Sequence, residues 1–176
     1  MSKESHPRLL DSLFVFKNVD DMTKRFGKEN VVVGRYGIEL ATFLFPKTKH
    51  EVVIGWLDQK TQSGGMAWVG LSKDPAAIFN GGDERFPISR WETSKGLFLG
   101  MTLKELEKKN GKPFKFMHDG IIIDWNDGAL ANEFVKIDPD GFSSIAETSS
   151  DDPVAQELNP IVSSISIFSQ EFFEQK

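Results

Sequence analysis

Apolar residues along this chain fall in short runs separated by turn chemistry. In the first half "VVVGRY", "IELATFLFP" and "EVVIGWLD" have the length and β-branched content of strands, and in the second half "KPFKF", "GIIIDWND" and "ALANEFVKID" do the same. "PKTKH" after Phe45, "HDG" at 118–120 and "NDG" at 126–128 supply turns between them. Near the end, Asp152 and Pro153 start a helix that Pro160 stops, and "SSISIF" alternates as a final strand.

Two helices carry fuller signals. In "GMTLKELEKKNGKP", Thr102 and Glu105 stand in the relation of a capping box, with Met101 and Leu106 as the hydrophobic staple around it. Leu103 and Leu106 give the apolar stripe, Gly111 suits the left-handed exit, and Pro113 blocks continuation. Each glycine and lysine thus has a structural duty, and no Lys-Ser or Lys-Thr pair follows to make a phosphate loop. "NVDDMTKRFGKENVVV" has the same grammar, with Asn18 as cap, Asp21 in the third position, Met22 on the stripe and Gly27 at the exit. Setting Gly27 on Gly111 places Asn18 on Thr102, Asp21 on Glu105 and Met22 on Leu106. The pattern predicts an α+β protein of one domain. It would hold two helix-plus-antiparallel-meander repeats, 12–60 and 96–140, with the helices packed on one face of the sheet and a C-terminal helix and strand.

Between the repeats, residues 64–93 mix a strand signal around Trp68 with loop composition. Asp74 and Pro75 read as the start of a short helix that Gly81 and Gly82 end. Trp68, Phe79, Arg85, Phe86, Arg90 and Trp91 lie here without the alternation that would bury them. Aromatic and arginine side chains on loops are common recognition anchors, so these six are the expected ligand or partner surface, together with an exposed sheet face. Trp56 shares a strand face with Val52 and Ile54, and Trp125 with Ile121 and Ile123, which predicts core positions for both.

Composition narrows the chemistry. Across 176 residues, 39% are hydrophobic and 27% charged, which suits a packed globule. A net charge of −5 argues against a polyanion-coating protein, so no nucleic-acid partner is expected. The absence of cysteine excludes disulfides, thiolate catalysis and thiolate metal sites. No apolar run has the length of a membrane span, and no signal peptide is visible at the start, where "MSKESH" suits either a cytosolic sequence or a replacement start on a mature exported protein. His118, Asp119, Asp124 and Asp127 form the densest titratable cluster, and a hydrolase with His118 as general base is the enzymatic alternative. Asp119 and Asp127 adjoin turn glycines, however, and Asp124 alternates with Ile123 and Trp125 as a solvent-facing strand residue would. "DWNDG" lacks the spacing and terminal glutamate of a calcium loop. No metal, cofactor or catalytic residue is therefore expected.

"GLFLGMTLKELEKKNGKPFKF", "IIIDWNDGAL", "FGKENV", "TFLFP" and "VVIGWLD" together resemble a family of exported proteins from Bacteroidetes-type bacteria. More distantly, the Gly-Met-Thr entry, short helix and Gly-x-Pro exit resemble the small lipoprotein of the outer-membrane assembly machine. That fold is similar to each repeat of the β-lactamase inhibitor protein, whose disulfides this chain lacks. The resemblance implies a periplasmic or envelope location, a non-enzymatic binding role and another protein as partner. An intracellular regulatory or immunity-type protein is the remaining alternative for a chain with neither cysteine nor leader.

Overall fold

The computed structural model describes residues 8–48, 50–72, 91–115, 133–137 and 149–174. Its strands are β1 (Arg8–Leu9), β2 (Val31–Tyr36), β3 (Glu39–Leu44), β4 (Val52–Asp58), β5 (Ser63–Ser72), β6 (Trp91–Glu92), β7 (Glu133–Ile137) and β8 (Val162–Phe168). Its helices are α1 (Val19–Phe26), α2 (Leu103–Asn110), α3 (Pro153–Leu158) and α4 (Gln170–Glu174), with a 3-10 segment at Leu10–Val15. The fold is α+β. A six-stranded sheet runs β2-β3-β4-β5-β8-β7, with every neighbouring pair antiparallel, and β1 pairs with β6 in parallel.

Register assigns the two faces. Leu44, Val52, Ile54, Trp56, Val69, Leu71, Ile165 and Ile167 are buried in one core with Met22 of α1, Leu103 and Leu106 of α2 and Ala155 of α3. Leu10 and Leu13 of the 3-10 segment complete it. The strand residues between them face the other way, where Ala41, Phe43 and Val53 form a smaller cluster with Trp68 packed on it. Helices α1–α3 therefore cover one face of the sheet. None of the helices among the described residues is long and apolar enough to cross a membrane.

Both helix frames form as their sequences predict. Asn18 Oδ1 accepts the Asp21 amide at 2.9 Å, and Gly27 caps the exit of α1. In α2 the Glu105 amide donates to Thr102 Oγ1 at 3.3 Å, and the Thr102 amide donates back to Glu105 Oε2 at 2.8 Å. The Thr102 amide, then its hydroxyl, hold the Glu105 carboxyl below the usual carboxylate range. Each cap also fastens its helix to the sheet. Asn18 bridges Ser63 while the Val19 amide donates to Gln62 O, and Thr102 bridges Ile161 while the Leu103 amide donates to Pro160 O. Thr102→Ala is expected to lower stability by about 1 kcal/mol with the fold retained. Gly111 has φ 82° and open space where a β-carbon would stand, so Gly111→Val meets backbone strain alone and should cost more, in line with the ~1–3 kcal/mol of strained backbone positions. Urea midpoints unchanged in both variants would rule out these caps.

The segment 64–93 departs from its expected irregularity. Residues 63–72 are one ten-residue strand in the middle of the sheet. Met66, Val69 and Leu71 all belong to the main core, and the irregular β4–β5 pairing at Trp56 puts Met66 out of step with the other two, so the sequence of β5 does not alternate cleanly. Residues 91–92 are strand as well. "KPFKF" forms no strand over its described part: Phe114 is buried coil, and Lys115 makes a single bridge to Ser149. The short helix expected from Asp74, and "GIIIDWND" with its two flanking turns, lie outside the described residues.

Candidate functional site

Trp68 sits on the sheet face that α1–α3 leave uncovered. In register it stands opposite Gly55 of β4 and Phe168 of β8, while Gly70 lies two residues along its own strand. The indole lies flat across this glycine floor. A β-carbon at Gly55 would overlap Nε1, Cε2 and Cδ1 of the ring, and one at Gly70 would come to 3.3 Å from Cζ3. Here glycine is required by close approach. Tyr36 flanks the indole with ring centroids 5.5 Å apart, and Val32 on the same strand is 45% exposed. At the other side, Phe168 packs at a tilt against Phe172, with ring centroids 5.0 Å apart, and Phe172 meets Phe173 edge-on.

Hydrogen bonding separates Trp68 from the other described tryptophans. Trp56 Nε1 donates to Thr42 Oγ1 at 2.9 Å, and Trp91 Nε1 donates to the His50 carbonyl at 3.1 Å. Trp68 Nε1 donates to no acceptor among the described residues. Buried indole N–H groups ordinarily find a partner, whereas this half-buried ring keeps its polar edge available on an apolar face.

Trp91 corrects an expectation. It is 3% exposed and belongs to the main core, so it is not part of an accessible surface. The parallel pairing of β1 with β6 carries it inward, and the Arg8 guanidinium lies 5.7 Å from its ring centroid and 4.9 Å from that of Phe45. Phe79, Arg85, Phe86 and Arg90 lie outside the described residues, as do His118, Asp119, Asp124 and Asp127 of the hydrolase alternative.

Other polar groups have structural work. Glu51, 6% exposed, accepts the Lys47 amide at 2.6 Å through Oε2 and so closes a turn in which Phe45 and Lys47 both have positive φ. Its burial pushes the carboxyl up, against the pull of the Lys47 amide and charge. Sequence reading missed this residue, because its burial depends on the turn closing over it. Ser150 is fully buried; its hydroxyl donates to Glu107 Oε2 at 2.7 Å and accepts the Phe114 amide at 3.0 Å, tying the α2 exit to the start of α3. A pocket of about 230 Å³ opens beside Phe14, Lys17, Met66 and Glu171, at the bulged end of the β4–β5 hairpin. Among the described residues, no group of three or more His, Asp or Glu side chains is placed to hold a metal ion.

No protein-family model, no curated protein and no solved structure gives a match to this chain.

Proposed function

We propose that this protein is a non-catalytic protein-interaction module of the cell envelope, and that it binds its partner on the sheet face centred on Trp68. The observation that carries the reading is the half-buried indole laid on Gly55 with its N–H unclaimed among the described residues, beside the exposed Tyr36 and Val32. A rigid aromatic anchor with one free donor suits a protein segment that offers an apolar side chain next to an oxygen acceptor. Phe79, Arg85, Phe86 and Arg90 belong to the segment that leaves β5, the strand bearing Trp68, and are proposed as further anchors. The envelope location rests on the resemblance of the chain's motifs to exported proteins.

The same proposal includes an internal repeat of helix and meander. Under the offset that aligns Gly27 with Gly111, Asn18 and Thr102 coincide as strand-bridging caps. Val19 and Leu103 coincide as amides bonded to the residue before the bridged one. The bridged residues lead into β5 and β8, which are antiparallel neighbours. The bridged residues, Ser63 and Ile161, lie outside 12–60 and 96–140 and do not coincide under that offset, so the support for a duplication comes from the two caps alone.

The test is capture from an envelope extract with the intact chain, followed by titration of the purified partner against wild type and Trp68→Ala. A central aromatic anchor predicts a loss of affinity of roughly thirtyfold or more, equal to about 2 kcal/mol. A partner that binds Trp68→Ala as tightly as wild type would overturn the assignment of this face.

A further inference from the structure

Strand β2 ends the sheet, with β3 as its one partner among the described residues. The β2–β3 hairpin turns through Gly37 and Ile38, and its closing pair is Tyr36 with Glu39. Pairs flanking a two-residue loop exchange hydrogen bonds, and such pairs alternate along an antiparallel ladder. Tyr36, Gly34 and Val32 therefore direct their backbone groups to β3, and the Phe45 amide continues the series by donating to Asn30 O at 2.7 Å. The N–H and C=O groups of Val31, Val33 and Arg35 point away from the sheet and meet no acceptor or donor among the described residues, while the Arg35 guanidinium donates to the Ile38 carbonyl at 3.4 Å.

This edge has little of the protection usual in natural sheets. It contains no proline, no lysine and no bulge. Past the buried Val31 its side chains are bare on both faces: Val32 on the Trp68 side is 45% exposed, and Val33 on the helix side is 47% exposed. Ile38 at 92% and Leu40 at 38% extend the apolar surface. Its charges are ordered as well. Glu29 precedes the strand and Arg35 lies near its end, and neither forms an ion pair among the described residues. An acidic start and a basic end complement each other only when two such strands run in opposite directions.

We propose that β2 is a homodimer interface, on which a second copy of this chain pairs its own β2 antiparallel and joins the two sheets into one. With Val33 on the two-fold axis, each Val31 meets the other copy's Arg35 as a hydrogen-bonded pair. Every outward backbone group of the strand is then satisfied. Arg35 then lies alongside the 3-10 turn Lys28–Asn30 that leads into β2 of the second copy, where the exposed Glu29, whose Oε1 accepts Asn30 Nδ2 at 3.2 Å, offers the opposite charge. Val32 on one face and Val33 on the other become covered together. This interface meets the Trp68 face at Val32, but the indole itself lies on β5, three strands in, so substitution of Trp68 and of Val33 tests the two surfaces apart.

Sedimentation equilibrium on the full chain, over a concentration series reaching high micromolar, tests the proposal. Wild type should show a concentration-dependent dimer. Val33→Lys, which places two ammonium groups face to face at the axis, should weaken the dimer by about tenfold or more. Because Val33 is exposed in the single chain, this variant should melt as wild type does. Arg35→Glu should also weaken the dimer, and the double variant Glu29→Arg, Arg35→Glu should restore it. Trp68→Ala should leave it unchanged. A wild type that stays monomeric throughout would overturn the proposal, and so would a dimer indifferent to both Val33→Lys and Arg35→Glu.

Discussion

Trp56→Ala is expected to destabilise the protein by about 3–5 kcal/mol, the usual cost of deleting a large ring from a close-packed core. The indole is 1% exposed and belongs to the main cluster beneath the helices. It also joins a chain of buried polar groups: Trp56 Nε1 donates to Thr42 Oγ1, and the Thr42 hydroxyl donates to Gln62 Oε1 at 2.9 Å. Gln62 in turn donates through Nε2 to the Gln59 carbonyl at 2.5 Å, which ties β3 to the β4–β5 connection. Trp56→Phe separates the two contributions. It retains most of the ring and leaves Thr42 its bond to Gln62, so its loss from the missing bond alone should be near 1 kcal/mol. Urea denaturation of both variants, with unchanged slopes, measures the difference. A loss under about 2 kcal/mol for the alanine variant would place Trp56 outside the core.

The second large effect distinguishes Trp91 from Trp68, two residues whose sequence surroundings look alike. Trp91→Ala should cost about 3–5 kcal/mol, since the ring is buried and its N–H holds the His50 carbonyl. Arg8 would lose one of the two rings it rests between. Trp68→Ala removes a half-buried ring from a glycine floor and should cost only about 1–2 kcal/mol by area. Iodide quenching of single-tryptophan variants gives an independent reading, with Trp68 accessible and Trp91 protected. Equal losses of stability, or equal quenching, would contradict the placement of the two rings.

Local features of this fold were legible in the sequence, and features created by distant pairing were not. The caps at Asn18, Thr102 and Asp152 need only neighbours within a few residues, and each forms as its sequence predicts. β2, β3, β4 and β8 also emerge from their apolar patterns, and Trp56 shares its buried face with Val52 and Ile54 as that alternation implies. The burial of Trp91 is not legible around it because it comes from a pairing with Arg8, the first described residue. β5 reads as partly irregular in sequence because Gly64, Gly65 and Gly70 dilute the strand and its irregular pairing with β4 breaks the alternation. Of the expected surface, Trp68 alone is both described and accessible. Its platform depends on Gly55 and Tyr36 from other strands, which no local pattern around Trp68 could reveal.

The position of β8 between β5 and β7 has a consequence for how the chain is made. Trp68 is paired with Phe168, so β5 must wait for a hundred residues (168 − 68 = 100) before its second neighbour exists. At ordinary synthesis rates of ~5–20 residues per second, that interval lasts about 5–20 s. During it the β2–β5 meander can form, since all its contacts are local, but β5 presents an unpaired edge and the apolar side chains Val69 and Leu71. A nascent chain stalled within this window is therefore the species most exposed to misassociation and the natural client for a holding chaperone, and strand β8 is the step that ends its vulnerability.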